Sequence, residues 1–270
     1  MCDGSSDPIE AMAQRLWDAQ WSKTPCAPPS DDLAEFDVQT AYEIQERIIH
    51  WRRVKRGLNG PPAAVVGRKI GLTSDAIQDW LGVTEPDFGV LLDDMIVADG
   101  DTASMAHLLQ PRIEAEVAFI LGDELVGPGL SAGDVVSATD HVLPALEIID
   151  SRIADWDITY EDTIADNASS GLFVLGNSPR QLSDVDLRLA GMKLRQNGRI
   201  VSTGAGAACM GHPINAVVWL GNTLAEFDQH LNSGDIVLSG AIGPAVDVDA
   251  GDDIRADIAG LGSVSVHFDN

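Results

Sequence analysis

Glu114 and Glu116 stand two residues apart in PRIEAEVAFIL (111–121), a stretch otherwise apolar enough to be a buried strand. Strand side chains alternate faces, so both carboxylates point the same way, with Ala118 and Ile120 next in that row. Ile113, Ala115, Val117 and Phe119 take the opposite face. A third acid, Glu147, lies in LPALEIID (143–150), again among apolar neighbours. Buried carboxylates are costly unless paired or metal-bound. Three of them on adjacent strands suit a hard divalent cation such as Mg2+ or Mn2+. The competing reading places Glu114 and Glu116 on the solvent side of an exposed strand. Ala118 and Ile120 argue for partial cover of that face but leave both readings open.

Three further stretches carry candidate chemistry. In VVGRKIGLTS (65–74), Lys69 is one of four lysines in the chain and sits between Gly67 and Gly71, which permit close backbone approach. A lysine in a cleft holds an anion or exchanges a proton; the alternative is a solvated surface lysine. In EPDFG (85–89), Asp87 is either a positioned base or a turn residue, and local pattern favours the turn. DNASSG (166–171) is a polar cluster before an apolar strand, able to hydrogen-bond a carboxylate or to serve as an ordinary loop. Other patterns fail on spacing. GAGAACMG (204–211) lacks the G-x-G-x-x-G order, and DVDAGD (247–252) would place Ile258 where a calcium loop needs glutamate. The six histidines show no zinc spacing, and His212 before Pro213 reads as a helix start.

The composition sets the frame for these residues. The chain has 270 residues and 45% hydrophobic content, enough for a large globular core. Its net charge is −25, from 31 Asp and 11 Glu against 13 Arg and 4 Lys. Such a surface is a poor partner for nucleic acid, which binds through basic groups. It resembles the surface of proteins from a high-salt cytoplasm, where ~1 M salt shortens screening to ~3 Å, and a halophilic source with salt-dependent folding is expected. Three scattered cysteines form no framework, no apolar run is long enough for a membrane helix, and no leader pattern opens the chain. A cytoplasmic place follows as the expectation.

The elements must then position the candidates. Helices are expected over 8–21, opened by Asp7-Pro8, over 38–57, over 74–82, over 131–142 from Ser131, and over 212–227. Strands are expected through 63–73, after the EPDFG loop, over 113–121, 143–150 and 170–176, and across much of 185–268, with a hairpin at Asn197-Gly198. Helices lead and strands dominate later without βαβ alternation, which predicts an α+β chain with a mixed or mostly antiparallel sheet. The division expected is a helical N-terminal segment, 1–60, and a β-rich metal-binding catalytic domain, 61–270.

Together GRKIGLTS, LGVTEPDFGVLLDDM, LQPRIEAEVAFIL, LPALEIIDSRIADW, DTIADNASSG, GHPINAVVWL, GDIVLSGAIGP and GLGSV resemble the 2-keto-4-pentenoate hydratases (2-hydroxypenta-2,4-dienoate hydratases) of the fumarylacetoacetate-hydrolase superfamily. The resemblance spans nearly the whole chain. It implies a mixed β core, a ring-like homo-oligomer, and a Mg2+ or Mn2+ ion held at Glu114, Glu116 and Glu147. It also implies active-site roles for Lys69, Asp87 and Ser169. The implied activity is hydration of 2-hydroxypenta-2,4-dienoate to 4-hydroxy-2-oxopentanoate in the meta-cleavage catabolism of aromatic compounds, with partner enzymes such as a downstream aldolase or an upstream decarboxylase. Rival readings are 4-oxalocrotonate decarboxylation, acylpyruvate-type C–C hydrolysis and a non-catalytic pathway subunit. The related decarboxylases typically carry I-Y-G and H-P-K where this chain has PDFG and QPR.

Overall fold

Asp7 and Pro8 open the first helix: the Asp7 carboxylate accepts from the Ile9 amide at 3.1 Å, and Pro8 occupies the first turn, where its missing N–H has no helical partner to lose. The computed structural model describes residues 7–33, 35–59 and 62–269. The elements run α1 (Pro8–Ser22), α2 (Val38–Asn59), β1 (Val65–Gly71), α3 (Asp75–Leu81), β2 (Asp87–Leu92), β3 (Ile96–Ala98), β4 (Thr102–Ala103) and β5 (Pro111–Leu121). They continue with α4 (Ala132–Ala138), β6 (Thr139–Asp150), α5 (Tyr160–Ala165), β7 (Ser170–Leu175), β8 (Gly191–Gln196), β9 (Arg199–Ala205) and α6 (Pro213–Leu224). The chain closes with β10 (Ile236–Ala241), β11 (Val246–Asp247), β12 (Asp253–Ile258) and β13 (Gly262–Phe268).

One sheet runs β2-β1-β10-β5-β6-β7-β3, with β11 also on β5, and a second runs β4-β13-β12-β8-β9. Parallel pairs (β1–β10, β3–β7, β4–β13) mix with antiparallel ones, as the α+β pattern predicts. The Asn197-Gly198 hairpin joins β8 and β9, both residues at positive φ. Met12, Leu16, Tyr42 and Ile44 of the two leading helices pack in the same apolar cluster as Phe119, Leu146 and Val174 of the sheet. The expected division at 60–61 and the reading of residues 1–6 lie outside the described residues.

Two elements differ from expectation. The helix over 131–142 ends at Ala138, and Thr139 to Val142 join β6. The Ser131 amide and hydroxyl both donate to Asp134 at 2.8 and 2.7 Å, so the start is capped as expected. Strand β5 then offers partners to Thr139 and His141 through Leu121 and Ile120, and those ladder bonds override the local helical pattern. Residues 185–190, expected as strand, form a turn closed by the Leu189 amide on Asp186 at 3.1 Å.

Candidate metal centre

Pairing register assembles the acids. β5 and β6 run antiparallel with Glu114 directly opposite Glu147 and Glu116 opposite Ala145. Like charges placed directly opposite destabilise a sheet. Here one carboxylate oxygen from each of Glu114, Glu116 and Glu147 lies within 4.8 Å of the others. Both faces of β5 are covered. Ile113, Val117 and Phe119 enter the large apolar cluster, while Ala118, in the glutamate row, joins a second one with Val90, Phe173 and Leu238. Glu116 and Glu147 are buried, and Glu114 keeps only an opening to a cavity, so the solvent-facing reading fails.

Strand β10 supplies a backbone donor. Its register slips between Leu238 and Ala241, and the bulge turns the Gly240 amide onto Glu116 Oε2 at 2.7 Å. Gly240 has φ +100°, and a Cβ there would meet Thr73 at 2.4 Å, so glycine is required twice over. Glu116 Oε1 and both Glu147 oxygens remain buried with no hydrogen-bond donor. Lys69 Nζ lies 3.3 Å from Glu147 Oε1 without hydrogen-bond alignment, and donates instead to the Ala168 carbonyl at 2.9 Å. Orphaned acceptors are expensive. A set of carboxylate oxygens only, several of them orphaned, fits a hard divalent cation.

Electrostatics follows from this crowding. Burial, then the neighbouring Glu147, pushes Glu114 up to about 7. Burial with the other two carboxylates raises Glu116 well above the ordinary range, and burial raises Glu147 against the pull of Lys69. Burial works against the Lys69 charge, yet the surrounding carboxylates, Glu147 foremost, hold its pKa above the ordinary lysine value. The solvated-lysine reading is therefore overturned: Lys69 is 3% exposed.

Asp87 is the first residue of β2 rather than a turn residue, and it is buried. Burial raises its pKa. Thr163 Oγ1 donates to Asp87 Oδ2 at 3.2 Å and lies 3.4 Å from Ser169 Oγ. Asp87 Oδ1 has no hydrogen-bond partner and packs over Gly71, where a Cβ would sit 2.2 Å from it. The close approach expected at Gly67 is made by the chain itself, since a Cβ there would meet the Ile236 carbonyl at 1.8 Å.

The DNASSG stretch builds structure more than it binds. Asn167, Ala168 and Ser169 have φ of 55°, 50° and 51°, a left-handed run that costs ~1–2 kcal/mol per residue. Asn167 offsets this by bonding both backbone groups of Val90 on edge strand β2, at 2.7 and 3.0 Å. Asp166 accepts from the Arg152 amide at 3.0 Å and pairs with its guanidinium, which also donates to the Ser170 carbonyl at 2.8 Å. The turn thereby aims the Ala168 carbonyl at Lys69 and sets Ser169 on the cavity wall.

Lys69, Asp87, Glu114, Thr163 and Ser169 line one cavity, with Glu116 and Glu147 behind Glu114. Leu72, Ile77, Ile158 and Trp156 give it apolar walls, and Arg112 stacks on Trp156 at 4.7 Å while pairing with Asp247 at 2.9 Å. All six candidate residues come together. Thr163, the Gly240 amide and Arg152 carry no spacing signal of their own. Asp166 and Asn167 stand in the DNASSG polar cluster, which is their only signal.

Comparison with known proteins adds the following. The fumarylacetoacetate (FAA) hydrolase C-terminal family matches residues 63–268. The chain is 48% identical over 261 residues to a 2-keto-4-pentenoate hydratase of Paraburkholderia xenovorans (strain LB400), covering 97% of this chain and 95% of that one. It is 43% identical over 262 residues to a 2-hydroxyhexa-2,4-dienoate hydratase of Comamonas testosteroni, covering 96% and 97%. A solved 4-oxalocrotonate decarboxylase from Pseudomonas putida G7, complexed with magnesium and adipate, superposes with TM-score 0.90 at 38% identity, covering 96% of this chain and 97% of that one.

Proposed function

The chain belongs to the fumarylacetoacetate hydrolase family, and we propose that it is a metal-dependent hydro-lyase adding water to 2-hydroxypenta-2,4-dienoate to give 4-hydroxy-2-oxopentanoate. The observation that carries this reading is the buried Glu114–Glu116–Glu147 cluster, with orphaned oxygens, beside the cavity that holds Lys69 and Asp87. The full-length likeness to named hydratases supports the choice of reaction. The proposal includes the homo-oligomer and the place in meta-cleavage catabolism, alongside enzymes such as an aldolase, that the resemblance implies, and the cytoplasmic location read from the composition.

Glu114, Glu116 and Glu147 would hold Mg2+ or Mn2+, which supplies Lewis-acid charge for the substrate carboxylate and the adjacent C2 oxygen. In the substrate, protonation at C5 with release of the C2 enol proton gives an enone; water then adds its oxygen at C4, and the proton it sheds is matched by protonation at C3, so one water is consumed and no net proton. Asp87 is our choice for the proton-moving group. Burial raises its pKa, Oδ1 lacks a protein partner, and Thr163 anchors the other oxygen. Lys69 stays an ammonium and opposes negative charge developing on the substrate. Ser169, linked to Asp87 through Thr163, orients water or a substrate oxygen.

The test is loss of dienoate absorbance by the purified chain, stripped with EDTA and then restored with Mg2+ or Mn2+. Turnover is expected only with metal, and full activity after stripping would refute the metal site. A second reading, 4-oxalocrotonate decarboxylation, is favoured by the structural likeness to a decarboxylase. Offering both substrates and following carbon dioxide separates the two.

A further inference from the structure

Lys69 faces the metal centre, so its strand neighbour Arg68 faces the opposite side of β1. There it lines a cavity of about 440 Å³ between α2, the β1–β2 pair and the turn after α6. The cavity has an aromatic floor. Tyr42 stacks on Phe88 with centroids 4.3 Å apart, and Phe227 meets the two rings edge-on at 4.8 and 5.8 Å. The remaining wall mixes charges, with Arg53, His50 and His230 joining Arg68 and with Glu46 and Asp228 as its carboxylates.

Arg68 is the anomaly. Its Nη1 donates to the Gly67 carbonyl at 3.1 Å and its Nη2 to Gln229 Oε1 at 3.0 Å, while Nε is buried with no acceptor. The chain carries 42 acidic residues, yet among the described residues none forms an ion pair with this guanidinium. Glu46 stands exposed at the rim, where it accepts from Gln229 at 3.2 Å. Burial lowers the Arg68 pKa against the opposing pull of Asp235 and Glu46, neither of which forms an ion pair with it. A guanidinium on the cavity wall with one N–H lacking a protein acceptor can take a carboxylate oxygen, and the rings beside it suit a flat apolar body.

We propose that this cavity is a second ligand site, separate from the metal centre, which takes a monocarboxylate with an aromatic or flat apolar body. The carboxylate pairs with Arg68, and the body lies on Phe88 and Phe227. Phe88 follows Asp87 in the chain, its amide donates to the Tyr42 hydroxyl at 3.4 Å, and its carbonyl accepts from Gln45 at 3.1 Å.

The test is calorimetric titration of the full-length, Mg2+-loaded protein with benzoate, and with benzyl alcohol as a neutral match, at fixed ionic strength. Saturable benzoate binding is expected, with Arg68→Gln and benzyl alcohol each weaker by about tenfold or more. Phe227→Ala weakens it through the opposite wall, and this variant decides the matter if Arg68→Gln does not fold. Glu114→Gln, at the metal centre, leaves it unchanged. Absence of saturable binding, or binding that survives Arg68→Gln or Phe227→Ala but is lost in Glu114→Gln, overturns the proposal.

Discussion

Glu114 and Glu147 face each other across two strands, and that opposition is tolerable only with positive charge between or beside them. Lys69 supplies part of it from one side. Replacing Glu114 by Gln removes a charge and a proposed ligand, so metal-dependent turnover should fall more than about 100-fold, with the circular dichroism spectrum unchanged. Proton competition gives a second expectation. The folded, metal-free Glu114 carboxyl is raised to about 7, so it binds a proton that the unfolded chain has already released. Its stabilising proton is lost as pH rises through that value, and a cation then takes its place. Metal affinity should accordingly rise with pH through about 7, roughly tenfold per unit for each displaced proton, with Glu116 and Glu147, raised as well, adding to the rise. Titrations of Mg2+ or Mn2+ across that range check it; a flat profile would count against Glu114 as a ligand.

Elements matter here through their irregularities. The β10 bulge delivers the Gly240 amide to Glu116, and the left-handed 167–169 turn delivers the Ala168 carbonyl to Lys69. Asn167 clamps that turn to the edge of β2 in place of a neighbouring strand. Asn167→Ala strands two backbone groups of Val90 and should cost about 2–4 kcal/mol in urea denaturation. It should also lower kcat, because Lys69 loses its fixed acceptor. Gly71 acts where β1 meets β2. In Gly71→Ala the new methyl collides with Asp87 Oδ1, so kcat should fall while metal affinity, measured separately, stays near wild type. Equal loss of both would show that the change disrupts the sheet rather than Asp87.

Across the whole molecule the dominant quantity is charge. A net −25 on 270 residues opposes compaction at low ionic strength and is screened at high. Surface pairs such as Arg112–Asp247 offset little of it, being exposed and few beside the surplus of acids. Circular dichroism against KCl should show structure gained toward molar salt; full native signal at low millimolar salt would remove the halophilic reading. The leading helices share the core of the sheet, so their loss should unfold the chain rather than trim it.

What the amino-acid order determined by itself was local or cumulative. Alternation placed Glu114 and Glu116 on one face, Asp7, Ser131 and His212 marked helix starts, and Asn197-Gly198 marked a hairpin. These depend on backbone preferences within a few residues, and the family resemblance depends on many motifs in one order. Tertiary structure alone decided the burial of Lys69, the strand position of Asp87, the meeting of Glu114 with Glu147, and the end of α4 at Ala138. Each is set by a partner elsewhere in the chain: β6 for Glu114, β5 for residues 139–142, and β1, through Gly71, for Asp87. Spacing reports which way a side chain points. Whether it meets water, a proton or another carboxylate is fixed by what the folded chain brings against it.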